Sequence, residues 1–293
     1  MSKGIGLGFA AFLAYAISDA CAKAMHGALP PYEMGLFAAL FSTLVLPVLL
    51  RRGSSVIDMV KPQRPLLWLA RGFLTVLNIL ASVMAFTYLT MAEAFSLIFI
   101  MPLVTTALSV AFLKEKVTPA SWIAISIGFV GVLIVLRPGF RDIGIGQLAG
   151  LSCGITGSIS SVLMRYVGHT EKPITQFGAA QLLPFVVFGI LTAGHFIAPA
   201  PVQWLIIAGY AVLAALGGVL LTYAGRLMAA SHLAPTQYSQ MIWGTALGAW
   251  LFNDRIDGLT VVGIVVIVGA GLWLFVPKRL VQSLLKAGRP TPP

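Results

Sequence analysis

Hydrophobic positions in this chain fall in long unbroken runs, without the alternation or one-sided stripe of a soluble core. Phe95 to Leu113 is 19 residues without a charge, and Val117 to Leu136 is a second such run, with only Lys114-Glu115-Lys116 between them. A helix rises about 1.5 Å per residue, so each run can cross a hydrocarbon core of about 30 Å. The triplet leaves room for a tight turn and nothing more. Along the whole chain the pattern predicts ten spans, at roughly 4–25, 32–50, 66–88, 92–113, 118–136, 145–165, 174–195, 203–227, 232–252 and 258–276. Breakers such as Leu29-Pro30-Pro31, the prolines of Lys61–Pro65 and those of Ala198–Pro201 separate them.

The stretch from Met91 to Pro138 has a counterpart near the C-terminus. An offset of 139 from Phe112 onward lays Glu115 on Asp254, Lys116 on Arg255, Val117 on Ile256 and Pro138 on Pro277 without a gap. An offset of 142 lays Gly8 on Gly150, Ser18 on Ser160, Lys23 on Arg165 and Pro31 on Pro173. The match is one of residue type and spacing, and it marks an internal repeat. Five spans is an odd number, so the second copy must lie inverted in the membrane. The expected fold class is an all-α integral membrane protein with ten transmembrane helices in two inverted five-helix repeats. The expected domains are 1–140 and 141–277, followed by a basic cytoplasmic tail at 278–293. Inverted repeats of this kind build secondary transporters, which hold substrate near the midplane between the halves.

Composition agrees with this reading. The chain is 58% hydrophobic and 10% charged, with mean hydropathy +0.94, whereas soluble domains carry about 25% charged residues. Its net charge of +10 would suit a polyanionic partner were it not so unevenly placed. With the N-terminus in the cytoplasm, Lys23, Arg137, Arg141 and Arg255 fall on the far side and the other 15 of 19 basic residues on the cytoplasmic side. Topology therefore accounts for the charge: both termini are expected in the cytoplasm of a bacterial inner membrane, with no nucleic-acid partner. No cleavable signal is expected before Asp19. Cys21 and Cys153 lie in apolar runs and suggest no disulfide or metal framework. There is no HExxH, no intramembrane aspartate pair in protease spacing, no nucleophile elbow and no P-loop. An enzyme and an ATP-driven pump on this chain are thereby set aside, and no cofactor or metal is expected.

Several stretches resemble the drug/metabolite transporter superfamily, specifically its EamA-type members. They are Ala70-Arg71-Gly72, Tyr88-Leu-Thr-Met-Ala-Glu-Ala94, Leu113-Lys-Glu-Lys-Val117, and Gly128-Phe-Val-Gly131 leading to Leu136-Arg-Pro138. The resemblance covers nearly the whole chain. It implies ten helices, alternating access and transport of small metabolites, often amino acid export. The polar and aromatic central spans are similar to those of aromatic amino acid exporters. Asn253-Asp254-Arg255 departs from the acidic turn common in the family, a change expected to matter little to function. Uptake of a riboflavin- or S-adenosylmethionine-type metabolite is the alternative, and a lipid flippase a more remote one. The expected partners are a small-molecule substrate and membrane lipid; the sequence leaves oligomeric state open.

The resemblance also implies that spans one, three, four, eight and nine line a central cavity. On these spans the cavity candidates are Tyr15, Asn78, Ser82, Phe86, Phe95, Phe99, Tyr223, Gln237, Tyr238, Gln240 and Trp243. Asn78, Ser82 and Phe86 recur every four residues and share a stripe. Lipid exposure of Asn78, Gln237 or Gln240 would be costly, which favours interior positions. Tyr88 and Tyr210, near span ends, suit the interfacial belt. Asp19 and Lys23 sit one turn apart on the first span; they serve either coupling or gating, or form a local neutralised pair. Glu93 suits a helix N-terminus better than a vestibule. His232, aligned with it, is open between the two. Arg71 suits an interfacial anchor better than an anion contact. Pro102 and Pro235 interrupt spans four and nine and serve either as gating hinges or as passive kinks.

Overall fold

The computed structural model describes residues 2–25, 27–50, 55–114, 119–137, 143–167, 170–227 and 230–273. Twelve α-helical segments follow in order: α1 (Ser2–Ala24), α2 (Pro31–Ser42), α3 (Leu46–Leu49), α4 (Pro65–Tyr88), α5 (Met91–Ile98), α6 (Met101–Leu113), α7 (Pro119–Leu136), α8 (Ile145–Val167), α9 (Pro173–Thr192), α10 (Pro201–Leu227), α11 (Ala230–Phe252) and α12 (Gly258–Trp273). A 3-10 turn, Thr43–Val45, joins α2 to α3, and a break at Phe99–Ile100 joins α5 to α6. The twelve segments therefore make ten rods. Glu115, Lys116 and the basic tail at 278–293 lie outside the described residues.

The chain marks its own helix starts. Pro31, Pro65, Pro119, Pro173 and Pro201 each open a helix, where a fixed φ is useful and the missing N–H would go unbonded anyway. Pro102 has a different consequence. It lacks the N–H that would close on the Ile98 carbonyl, and it sits in the first turn of α6, just past the break. The fourth span is thus divided, where the sequence predicts one kinked helix.

Repeat symmetry shows in both backbone and packing. Lys114 and Asn253, aligned by the offset of 139, both end their helices in the left-handed region at φ 54°. Shifting by five spans also turns one set of helix contacts into another. The α1–α10 pair has its counterpart in α8–α4, α1–α11 in α8 with α5 and α6, and α2–α10 in α9–α4. The pairs α2–α9, α5–α11 and α7–α12 each join equivalent helices of the two halves. Where α7 crosses α12, Gly131 and Gly263 bring backbone against backbone; a Cβ on either would lie within 3.0 Å of the other's carbonyl oxygen.

Apolar side chains cover the outside as well as the inside. Leu205 is 77% exposed and Trp250 80%, and such a surface is stable only against lipid. Among the described residues, six spans, counting the α5–α6 rod as one, are individually long and apolar enough to cross a membrane. The interior is densest around Phe86, Phe95, Phe99, Met91 and Met241. We call the face where α1 begins proximal and the opposite face distal.

Candidate substrate cavity

A cavity of about 430 Å³ lies among α1, α4, the α5–α6 rod, α8, α10 and α11, a size that fits a small metabolite. Eight of the predicted residues line it: Tyr15, Asn78, Ser82, Phe86, Phe95, Phe99, Gln237 and Gln240. Asp19 lines it too. The stripe Asn78-Ser82-Phe86 therefore faces inward as its spacing requires.

Three predicted residues lie elsewhere. Tyr238 is one position, about 100° of helix turn, from Gln237; it is buried behind the wall with its ring 5.6 Å from that of Phe99. Tyr223 is two positions from Leu221, which does line the cavity, so it points to the other side of α10 and is 37% exposed. On α11 the inward place goes to Gly244, packed on Phe95, and Trp243 beside it is 39% exposed.

The cavity also has residues the sequence reading passed over: Phe12, Ile98, Met101, Cys153, Gly157, Ser161 and Leu221. Two signals were available. Cys153, Gly157 and Ser161 recur every four residues on α8, and Ser161 is the repeat counterpart of Asp19. Ile98 and Met101 flank the break in the fourth span, whose carbonyls pack on Gly154 and Ser158 of α8, since irregular backbone at membrane depth must be covered by protein or line a cavity.

Polar contacts tie the two halves together across this space. Gln240 Nε2 donates to Asp19 Oδ2 at 2.9 Å. Asn78 Nδ2 donates to the Cys153 carbonyl at 2.8 Å and to Thr156 Oγ1 at 3.1 Å. The buried rings of Phe86 and Phe95 meet edge to face at 5.2 Å, and Phe12 and Tyr15 lie 6.0 Å apart. Among the described lining residues Asp19 is the one ionisable carboxylate, and no lysine or arginine joins it.

Asp19 and Lys23 do not form the local pair their spacing allows. Lys23 is buried, and its Nζ lies 3.3 Å from Asp254 Oδ1 and donates to the Leu89 carbonyl at 2.7 Å. Asp254 Oδ2 in turn accepts the Met91 N–H at 2.8 Å. Asp254 thus meets two helix ends of the other half, those of α1 and α5. Tyr210 is buried rather than in a belt, and its carbonyl accepts from Ser18 Oγ at 2.7 Å; Tyr88, 62% exposed, suits the belt.

Glu93, Arg71 and Pro102 are not among the residues that line the cavity. Glu93 completes a capping box on α5, where Thr90 Oγ1 accepts its N–H and its carboxylate accepts that of Thr90. Arg71 Nη1 donates to Gln176 Oε1 at 2.9 Å, against α9. Pro102 is a helix starter beside the cavity. His232 and Pro235 belong to the first turns of α11, whose side chains lie outside the described residues.

Comparison with known proteins follows the same lines. Residues 2–137 match the EamA-like transporter family. An S-adenosylmethionine uptake transporter of Rickettsia bellii is 24% identical over 286 residues, 96% of each chain. A pseudopaline exporter of Pseudomonas aeruginosa is 25% identical over 285 residues, 95% of this chain and 98% of that one. A solved structure at 19% identity matches with a TM-score of 0.69 over 96% of this chain and 99% of its own, which shows a shared fold. Ten apolar rods around a cavity, an EamA-like match over residues 2–137 and transporter relatives along nearly the full length lead to one conclusion: this chain is a multi-pass membrane protein whose first half is similar to the EamA-like transporter family.

Proposed function

We propose that the protein is a secondary transporter of the bacterial inner membrane that exports aromatic or other neutral amino acids by alternating access. The observation that carries this reading is the chemistry of the cavity. One carboxylate, Asp19, stands among Phe12, Tyr15, Phe95 and Phe99, with the carboxamides of Asn78, Gln237 and Gln240 nearby. A primary ammonium is held by an acid and by aromatic faces, carboxamides supply donors for a carboxylate, and rings pack an apolar side chain. The halves would rock about this site, exposing it to each face in turn. In the proposed topology the proximal face is cytoplasmic.

Uptake of an S-adenosylmethionine-type metabolite is the second reading. It is favoured by the Rickettsia bellii relative, and an acid ringed by aromatics suits an onium ion equally well. Counterflow in proteoliposomes, loaded in turn with labelled phenylalanine, tryptophan, threonine, methionine and S-adenosylmethionine, separates the two. Exchange competed by aromatic amino acids supports export; exchange restricted to S-adenosylmethionine replaces it with the uptake reading. Folded protein that exchanges none of them would overturn both.

A further inference from the structure

One helical turn toward the distal face, the elements that line the cavity meet again in a second layer. On α1, Asp19 is followed by Lys23; on α4, Phe86 is followed by Leu89 just past the helix end; on α5, Phe95 is preceded by Met91. Lys23 and Met91 meet Asp254, in the turn after α11, and Leu89 joins the layer through Lys23. Lys23 Nζ touches Asp254 Oδ1 and the Leu89 carbonyl, and the Met91 N–H is bonded to Asp254 Oδ2. The Phe252 ring lies 5.4 Å from Lys23 Nζ. Both charged side chains are nearly sealed from solvent, at 11% and 10% exposure.

Two glycines bring the second half down onto this layer. A Cβ on Gly244 would fall 1.9 Å from the Phe95 ring, and one on Gly248 2.9 Å from Asp254 Oδ2 and from Met91 Cβ. No side chain larger than hydrogen fits at either place, so α11 lies flush over the cavity's distal end.

We infer that Lys23 and Asp254 form the latch that closes the distal mouth of the cavity, one residue from each half, and that they separate whenever the cavity opens to that face. The argument is electrostatic as well as steric. Every bond of the layer joins the first half to the turn of the second or caps a helix end beside it. Parting the halves on this side breaks the pair, and a buried pair holds its partners firmly only while both are present. Once water enters, each ion is solvated separately and loses little. Such a contact is strong when dry and weak when wet, which suits a two-position device. The inference rests on the alternating-access reading, but not on the identity of the substrate.

Cys153, which lines the cavity, supplies a native reporter. In a Cys21→Ser background, its alkylation by a membrane-impermeant maleimide is timed from each face of oriented membrane vesicles. Asp254→Asn and Lys23→Met are each expected to speed distal-face labelling at least tenfold, and the swap Lys23→Asp/Asp254→Lys to restore slow labelling. A single sharp size-exclusion peak in detergent reports that each variant is folded. Unchanged distal labelling in both folded single variants would overturn the latch. Should neither fold, the pair Lys23→Cys/Asp254→Cys is bridged with a short bis-maleimide. A bridge that abolishes distal labelling of Cys153 supports the proposal, and distal labelling that persists across the bridge rejects it. No substrate enters these measurements, so a wrong substrate assignment leaves them untouched, and a failed latch leaves counterflow to be judged separately.

Discussion

Asp19 and Lys23 stand one helical turn apart on α1 yet take their partners from the other half of the chain, Gln240 for the acid and Asp254 for the base. One face of a single helix thereby divides its work. Its acid faces the cavity, and its base closes the layer beyond.

If Asp19 holds the substrate's ammonium, Asp19→Asn keeps the shape and removes the charge. A hydrogen bond to a charged group contributes about 2 kcal/mol, so affinity should fall roughly thirtyfold. Counterflow measured across substrate concentrations gives the number. An unchanged affinity, with unchanged pH dependence, would remove Asp19 from both recognition and coupling.

Asn78 joins α4 to α8 through two acceptors. Asn78→Leu loses both bonds and leaves the Thr156 hydroxyl without that donor, at a cost of about 1–2 kcal/mol. A lower melting temperature in detergent should accompany weakened transport. Loss of transport at full stability would instead assign Asn78 to the substrate directly.

Gly244 and Gly6 make a matched test of close packing. Alanine at 244 would drive its methyl into the Phe95 ring, whereas alanine at 6 meets nothing within 4 Å. Gly244→Ala should destabilise by about 1–3 kcal/mol, and Gly6→Ala should leave stability level or raise it by up to about 1 kcal/mol. Thermal unfolding of the two variants side by side decides the matter.

Acid should loosen the proximal-face linker before it touches the membrane core. Asp58 accepts the Ser55 N–H and pairs with Lys172 at 2.9 Å; the Ser55 bond first, and Lys172 second, hold its carboxyl below the usual aspartate range. A depressed carboxyl contributes stability above its unfolded pKa and loses it as pH falls through the folded value. Hydrogen exchange around Val56–Val60 should therefore rise at acid pH in the wild type. In Asp58→Asn it should already be raised near neutrality, with little further change.

The ten spans were legible because hydrocarbon thickness imposes its length on sequence, and the repeat because Lys114 and Asn253 keep their places in matching turns. Eight cavity residues followed from the spans that the family resemblance implies, three of them from a shared stripe at every fourth position. Tyr238 and Trp243 did not, because a single position turns a side chain by about 100° and an aromatic residue is at home in core and lipid alike. The partners of Lys23 were hidden for another reason. Asp254 is 231 positions away in the chain, and nothing nearer than the folded crossing of the two halves brings them together. Glycines at 244 and 248 held that information, but a glycine in sequence does not name the neighbour it admits.

Asp19 also bears on how such a carrier would respond to voltage. A protein that rocks about a fixed charge moves only its substrate's net charge between the two solutions. A zwitterion with its ammonium on Asp19 carries none, and the membrane potential would neither drive nor resist it. A substrate with one net positive charge would be drawn to the negative interior by about 2.3 kcal/mol per 100 mV, roughly fiftyfold in accumulation. One cavity could then release a neutral amino acid down its gradient and gather an onium ion against one. In that case the charge of the cargo, rather than the architecture, sets the direction of traffic.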